Sequence, residues 1–246
     1  MTNESTLRKM IGMKLSGMAQ AFRNTLKSSF STEMTADELV AYLVDAEWED
    51  RQNRRLTRLI KSANFRLQAA IEQVYTRPVR NIDKNLLLRL SDCTWINKGE
   101  NILITGPTGV GKSFIACALG NQAVHHDFRT LYFNANKLFS KLKMAKADGS
   151  YVKELSRIQR HHLLILDDFG LHPLDELSNL ILLEILEDRY SLGSTIVTSQ
   201  FPISDWHNLL SNPTVADAIC DRLVHNAYKI ELDGDSMRKK KKPDSG

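Results

Sequence analysis

The chain has 246 residues, of which 42% are hydrophobic, and 33 lysines and arginines against 29 acids leave a formal charge of +4. That is enough apolar material for a core in one domain or two. No apolar run approaches the roughly 18 residues of a membrane span, and the opening MTNESTLRKM lacks the apolar segment of a secretory signal. The expected location is therefore the cytoplasm, with no membrane partner. Cys93, Cys117 and Cys220 are odd in number, far apart and without a CxxC, so they indicate neither a disulfide framework nor a zinc site. The histidines form no HxxxH or Cys/His set.

In chain order, Leu7, Ile11, Leu15, Met18, Phe22 and Leu26 recur every three or four residues as a helical stripe, weakened by Gly12 and Gly17. SSFST at 28–32 breaks it. Thr35 and Glu38 then have capping-box spacing, and a second stripe runs through Leu39, Leu43, Leu56, Leu59, Ile60, Ala63, Leu67 and Ile71. Proline in TRPVR at 76–80 ends the helical pattern. From about residue 100 the pattern changes. NILIT, TLYFNA, LLIL, TIVTS and YKIEL are short β-rich runs separated by helix-length segments, which implies an α/β fold with a mainly parallel sheet between helices. The expected organisation is an all-helical N-terminal domain at 1–76, a linker and core entry at 77–98, a nucleotide-binding core at 99–234 and a basic tail at 235–246.

Within that core, NILITGPTGVGKSFIACALG places a strand, a glycine-rich loop and a helix in direct succession. Gly106, Gly109, Gly111, Lys112 and Ser113 satisfy GxxxxGK[ST], in which glycines let backbone N–H groups converge on phosphate oxygens at a helix N-terminus. The expected nucleotide contacts are Gly106, Pro107, Thr108, Gly109, Val110, Gly111, Lys112, Ser113 and Phe114. Lys112 is expected to reach the β and γ phosphates, and the Ser113 hydroxyl to bind Mg2+. HHLLILDDFG supplies the acids: Asp167 and Asp168 follow the apolar run 163–166, at the strand end where ligands bind in such sheets. Asp167 is assigned to the metal and Asp168 to the attacking water. The guanine-reading NKxD is absent, since NKGE at 97 and NKLF at 136 lack the acid, so ATP is the expected nucleotide. A P-loop alone also fits a small-molecule kinase, but no arginine-rich lid insertion lies between the second and fourth strands.

Charge is unevenly placed. RQNRRLTRLIKSANFR, residues 51–66, holds six cations and no acid. At about 100° per residue, with Arg51 at zero, Arg54, Arg55, Arg58, Lys61 and Arg66 fall within about −80° to +60°, and Leu56, Leu59, Ile60, Ala63 and Leu67 within about 80° to 180°. Phe65, at about −40°, joins the cationic face, where an aromatic ring suits base stacking. Glu47 with Arg51 and Asp50 with Arg54 have ion-pair spacing, which leaves Arg55, Arg58, Lys61 and Arg66 unmatched. The face is expected to bind nucleic acid, alongside Lys239 and Lys240 of the RKKKK tail and Arg238, for which a DNA contact and a nucleotide contact both fit.

GPTGVGKS, LLILDDFG, STIVTSQFP, ADAICDRLVHNAYKIEL and GDSMRKKKK, in this order behind a helical region, resemble the IstB-like ATP-binding proteins. These are AAA+ transposition helpers of bacterial insertion sequences, related to DnaC-type helicase loaders. The resemblance implies an AAA+ ATPase core, homo-oligomers that share ATP across subunit interfaces, duplex DNA as a ligand and the transposase or integrase of the same element as a partner. It also implies sensor 1 at Ser199 and an arginine finger at Arg222. The 24 residues after Arg222 are too few for a C-terminal helical lid, so none is expected. An Asp at 168, where many AAA+ proteins carry Glu, implies slow turnover.

Overall fold

A computed structural model describes residues 2–27, 34–74 and 81–237. By its contacts the chain divides into two compact units, Met1–Arg58 and Leu59–Gly246. The division falls well before the expected boundary at residue 76, because Phe65, Ala69, Ile71 and Val74 all pack into the core of the second unit.

The first unit contains α1 (Asn3–Gly12), α2 (Ser16–Lys27) and most of α3 (Ala36–Ala63). Gly12 ends one helix. Gly17 has a different role: a β-carbon there would lie 2.7 Å from Asp50 Cβ and 2.9 Å from Glu47 Cα, so glycine permits a close crossing of α2 and α3. The buried Glu47 carboxylate sits at this crossing and accepts from the N–H groups of Gly17 (2.9 Å) and Met18 (3.2 Å) at the start of α2. It also pairs with Arg51 at 2.7 Å. The capping box forms as the spacing predicts, with Thr35 N–H to Glu38 at 2.8 Å and Glu38 N–H to Thr35 Oγ1 at 3.3 Å.

α3 does not continue through Leu67 and Ile71. It stops at Ala63 because Asn64 turns left-handed (φ 57°), a conformation asparagine adopts more readily than most residues and one that terminates helices. A 3-10 turn, Ile71–Gln73, follows.

In the second unit, α4 (Lys84–Leu90) and α5 (Thr94–Asn97) precede a five-stranded sheet. Its strands are β1 (Asn101–Thr105), β2 (Thr130–Asn134), β3 (Leu163–Phe169), β4 (Ser194–Ser199) and β5 (Ala227–Glu231). The spatial order is β2-β3-β4-β1-β5, and every pairing is parallel. Between them come α6 (Lys112–His125), α7 (Ala135–Asp148), α8 (Tyr151–Gln159), α9 (Glu176–Arg189) and α10 (Pro213–Val224).

Alternate strand residues face opposite ways. Ile102, Ile104 and Ile165 pack with α6, while Leu103, Leu164, Leu166 and Val197 pack with α7, α9 and α10. Both faces are covered, as a parallel sheet requires. Because all strands run the same way, Thr105, Asn134, Asp167 and Ser199 come together at one edge, and β4 stands between the strand before the phosphate loop and the strand bearing the acids. No helix among the described residues is long and apolar enough to cross a membrane.

Candidate nucleotide site

The loop after β1 is held by its glycines and by the chain leaving β5. Gly111 has φ 99° and is the N-cap of α6, and a β-carbon on Gly106 (φ 138°) would run into the carbonyl oxygen of Leu232. Across the loop, Met237 N–H donates to Gly109 O at 2.9 Å, so the segment after β5 is fastened to the phosphate loop. Lys112 opens α6 and is almost fully buried; its Nζ donates to Gly106 O at 2.7 Å and Pro107 O at 2.8 Å. Val110 and Phe114 pack into the core.

The acids are shaped by an irregularity in β3. Leu166 pairs with Val197 and Phe169 with Ser199, so β3 spends one more residue than β4 over this stretch. Asp168 carries the bulge at φ 60°. In a regular strand, Asp167 and Asp168 would face opposite sides of the sheet. Here both carboxylates reach one guanidinium: Arg66 Nη1 lies 3.4 Å from Asp167 Oδ2 and 3.0 Å from Asp168 Oδ2.

Asp167 is fully buried and accepts from Ser113 Oγ (2.8 Å), Thr198 Oγ1 (2.5 Å) and Tyr132 OH (2.5 Å). Asp168 accepts from Asn134 Nδ2 at 3.1 Å, and its own N–H donates to Thr198 Oγ1 at 3.0 Å. Burial and the bond to Asp167 push the Tyr132 phenol well above its ordinary pKa, so it stays a donor. Burial disfavours the Arg66 charge, but Tyr132, Asp168 and Asp167 outweigh that and raise its pKa.

A helix N-terminus, glycines in the loop, an ammonium group and a hydroxyl–carboxylate pair at 2.8 Å form a donor set that fits a nucleotide phosphate chain with a divalent cation. Among the described residues, no three His, Cys, Asp or Glu side chains gather into a metal site of their own. A magnesium ion here would draw on Ser113, Asp167 and the nucleotide's own oxygens.

The family model of the IstB-like ATP binding protein matches residues 8–245. The chain belongs to this family of ATP-binding proteins. The insertion sequence ATP-binding protein y4pL of Sinorhizobium fredii is 45% identical over 234 residues, covering 95% of this chain and 96% of that protein. A second protein of that organism, y4uH, is 42% identical over 243 residues, covering 99% and 98%. Among solved structures, the DnaC helicase loader superposes with a TM-score of 0.58 at 21% identity, over 67% of this chain and 97% of that one. That likeness shows the fold, a parallel sheet between helices with a glycine-rich loop after its first strand.

For this IstB-like chain, the remaining expected site residues divide into those the fold brings to the loop and those it does not. Ser199 lies beside Thr105, but its hydroxyl donates to Phe169 O (2.9 Å) and accepts from Phe201 N–H (3.1 Å), behind the β3 bulge. The residues of this strand end that do engage the loop and the acids are its neighbours: Thr198, already described, and Gln200, whose Oε1 accepts from Thr108 Oγ1 at 2.7 Å. Strand alternation is the signal that puts Thr198 and Gln200 on one side and Ser199 on the other.

Arg222 stands at the opposite end of the sheet. Its carbonyl accepts from Asn101 Nδ2 at 3.0 Å, at the start of β1, one strand length of about 13 Å from the phosphate loop. Its guanidinium binds Glu187 at 2.9 Å.

Of the expected DNA contacts, Arg51, Arg54, Arg55, Arg58 and Lys61 are on α3 and exposed at least in part. Arg54 pairs with Asp50 at 2.9 Å, and Arg51 with Glu47 as above. Arg51, Arg55 and Arg58 line a groove of about 800 Å³ in the first unit, together with Lys14 and Trp48. Trp48 is 64% exposed.

Two residues leave that group. With α3 finished at Ala63, Phe65 and Arg66 do not share its cationic face: Phe65 packs against the core, and Arg66 is at the acid pair. Arg238, Lys239 and Lys240 lie outside the described residues.

Proposed function

We propose that this protein is an ATP-hydrolysing, DNA-binding AAA+ protein that oligomerises on duplex DNA and assists the transposase of its own insertion sequence. The observation that carries the reading is the Ser113–Asp167 contact beside Lys112, at the end of a sheet whose family is one of insertion-sequence ATP-binding proteins. Lys112 neutralises the β and γ phosphates, Ser113 and Asp167 hold the magnesium ion, and Asp168 takes the proton of the attacking water. Bound magnesium supplies charge neutralisation at the phosphoryl oxygens. Thr198 and Gln200 take the sensing position at the end of β4.

Arg222 acts in the neighbouring subunit's site. Its placement a strand length from its own phosphate loop supports a role in trans, and it must leave Glu187 to play it. Duplex DNA is held by the cations of α3, with Trp48 beside them as the aromatic element. The helicase-loader alternative has the shared fold in its favour at 21% identity, whereas the insertion-sequence relatives match at 45% over nearly the whole chain.

The test is steady-state phosphate release at saturating duplex. Arg222→Ala and Lys112→Ala are each expected to be nearly inert, and mixing them to restore part of the turnover, since an intact pocket on one receives an intact finger from the other. Wild-type activity per subunit is expected to rise with protein concentration. Flat specific activity and mixtures that merely average the two variants would sink the shared-site reading.

A further inference from the structure

Arg66 belongs to the stretch of cations that follows Arg51 in sequence, yet its side chain ends in the hydrolytic centre. The main chain brings it there in three steps. Asn64 turns the chain out of α3. Phe65 then wedges against α6, where a β-carbon on Gly120 would lie 2.7 Å from the ring's Cε1 and 2.6 Å from Ile165 Cδ1, so glycine alone leaves room for the ring. Finally, Asn121 Nδ2 donates to Ala69 O at 3.2 Å and fastens the same segment to α6. The helix that carries Lys112 and Ser113 at its first turn thus also holds the segment that carries Arg66.

Two carboxylates side by side, one of them fully buried, repel unless a cation serves both. One guanidinium nitrogen does so here. A divalent metal ion would answer the same charges, and having both cations at the pair would set one unit of positive charge against two at close range. The Arg66 side chain is 47% exposed, so solvent can receive the guanidinium when it is displaced. Asp168, its nearer partner, is the more accessible acid and is also held by Asn134.

We propose that Arg66 is a positioning residue that acts through Asp168: it is the cation of the acid pair in the nucleotide-free chain, and it withdraws when magnesium-bound nucleotide arrives. While Arg66 is in place, the Asp168 carboxylate is tied to a guanidinium and to Asn134 and is not offered to water. Its release from Arg66 frees the carboxylate for proton transfer. This rests on the reading of Asp167 and Asp168 as the acids of an ATP site.

The test is magnesium titration at a fixed concentration of a fluorescent, non-hydrolysable ATP analogue, reading the half-saturating magnesium concentration. Arg66→Gln is expected to lower it about three- to fivefold, the scale of a partly exposed ion pair. Arg66→Lys, which keeps the charge but loses the fork, is expected to fall between that variant and wild type. In an Asp168→Asn background the effect of Arg66→Gln should shrink to less than about twofold, because the coupled partner is gone.

An unchanged magnesium requirement in Arg66→Gln overturns the proposal, as does an effect of full size in the Asp168→Asn background. Selective loss of the ATP analogue relative to ADP also overturns it, since Arg66 would then be a phosphate ligand. Asp167→Asn tests the underlying reading separately: a magnesium requirement equal to wild type there means the acids do not serve an ATP site at all. Should Arg66→Gln fail to fold, Arg66→Lys and Asp168→Asn with their double variant decide the same question.

Discussion

The acid pair of the second unit and the cationic stretch of α3 in the first are both concentrations of like charge, built in opposite ways. At the acid pair, a buried carboxylate takes hydrogen bonds from Ser113, Thr198 and Tyr132, and the strand itself is bulged to bring the second acid alongside. On α3, Arg51, Arg54 and Arg58 stand in solvent, tied to Glu47 and Asp50 on their own helix or to the backbone one turn back, as Arg58 Nε is to Arg54 O at 3.3 Å. Enclosed charge is specified by everything around it, so that losing one member strands the rest. Exposed charge is specified mainly by spacing, and its members act almost independently.

The largest expected effect tests the enclosed side. Asp167→Ala leaves the hydroxyls of Ser113, Thr198 and Tyr132 and the Arg66 guanidinium without their shared acceptor, and is expected to cost about 3–5 kcal/mol of stability, read by urea unfolding without nucleotide. A loss under about 1 kcal/mol would mean that the network is no more demanding than a surface ion pair, and the contrast would collapse.

Phe65 sharpens the boundary between the two regions. As a core residue wedged over Gly120, its truncation to alanine should destabilise the protein by about 2–3 kcal/mol, less than a fully buried phenylalanine because it is half-buried. DNA affinity of the folded protein should keep its salt dependence. A stable Phe65→Ala variant with altered DNA strand preference would return the ring to the nucleic-acid surface.

The smallest effect on stability belongs to the exposed side. Arg55→Gln and Arg58→Gln should each change unfolding free energy by no more than about 0.5 kcal/mol. Each should also lower the slope of log affinity against log salt on duplex DNA by about one. Unchanged slopes in both would move the DNA surface off α3.

The phosphate loop, the acids after an apolar strand and the alternation of strands and helices were legible because each depends on neighbours in the chain. A glycine-rich turn must join its strand to its helix, and a parallel sheet must gather its carboxyl-terminal ends at one edge. The capping box at Thr35 and the ion pairs at Glu47 and Asp50 are likewise local, and they form at the predicted spacings. Thr198 and Gln200 were within reach of the alternation rule, which sets them apart from Ser199.

Other features depended on distant partners. The wheel drawn from Arg51 assumes that helix continues to Arg66, whereas packing of Phe65 on Gly120 and the left-handed turn at Asn64 end it at Ala63. A helical wheel has no term for a pocket some 55 residues further along the chain. The same holds for the bulge at Asp168, which turns two successive acids to one side, and for Arg66, whose partners are 101 and 102 residues away. Sequence alone determined where the cations, the acids and the GxxxxGK[ST] loop stand along the chain, since these follow from side-chain type and local spacing. Only the tertiary structure decided which cation meets which acid, because that pairing is set by long-range packing, and the burial that makes it strong does not exist until the chain has folded.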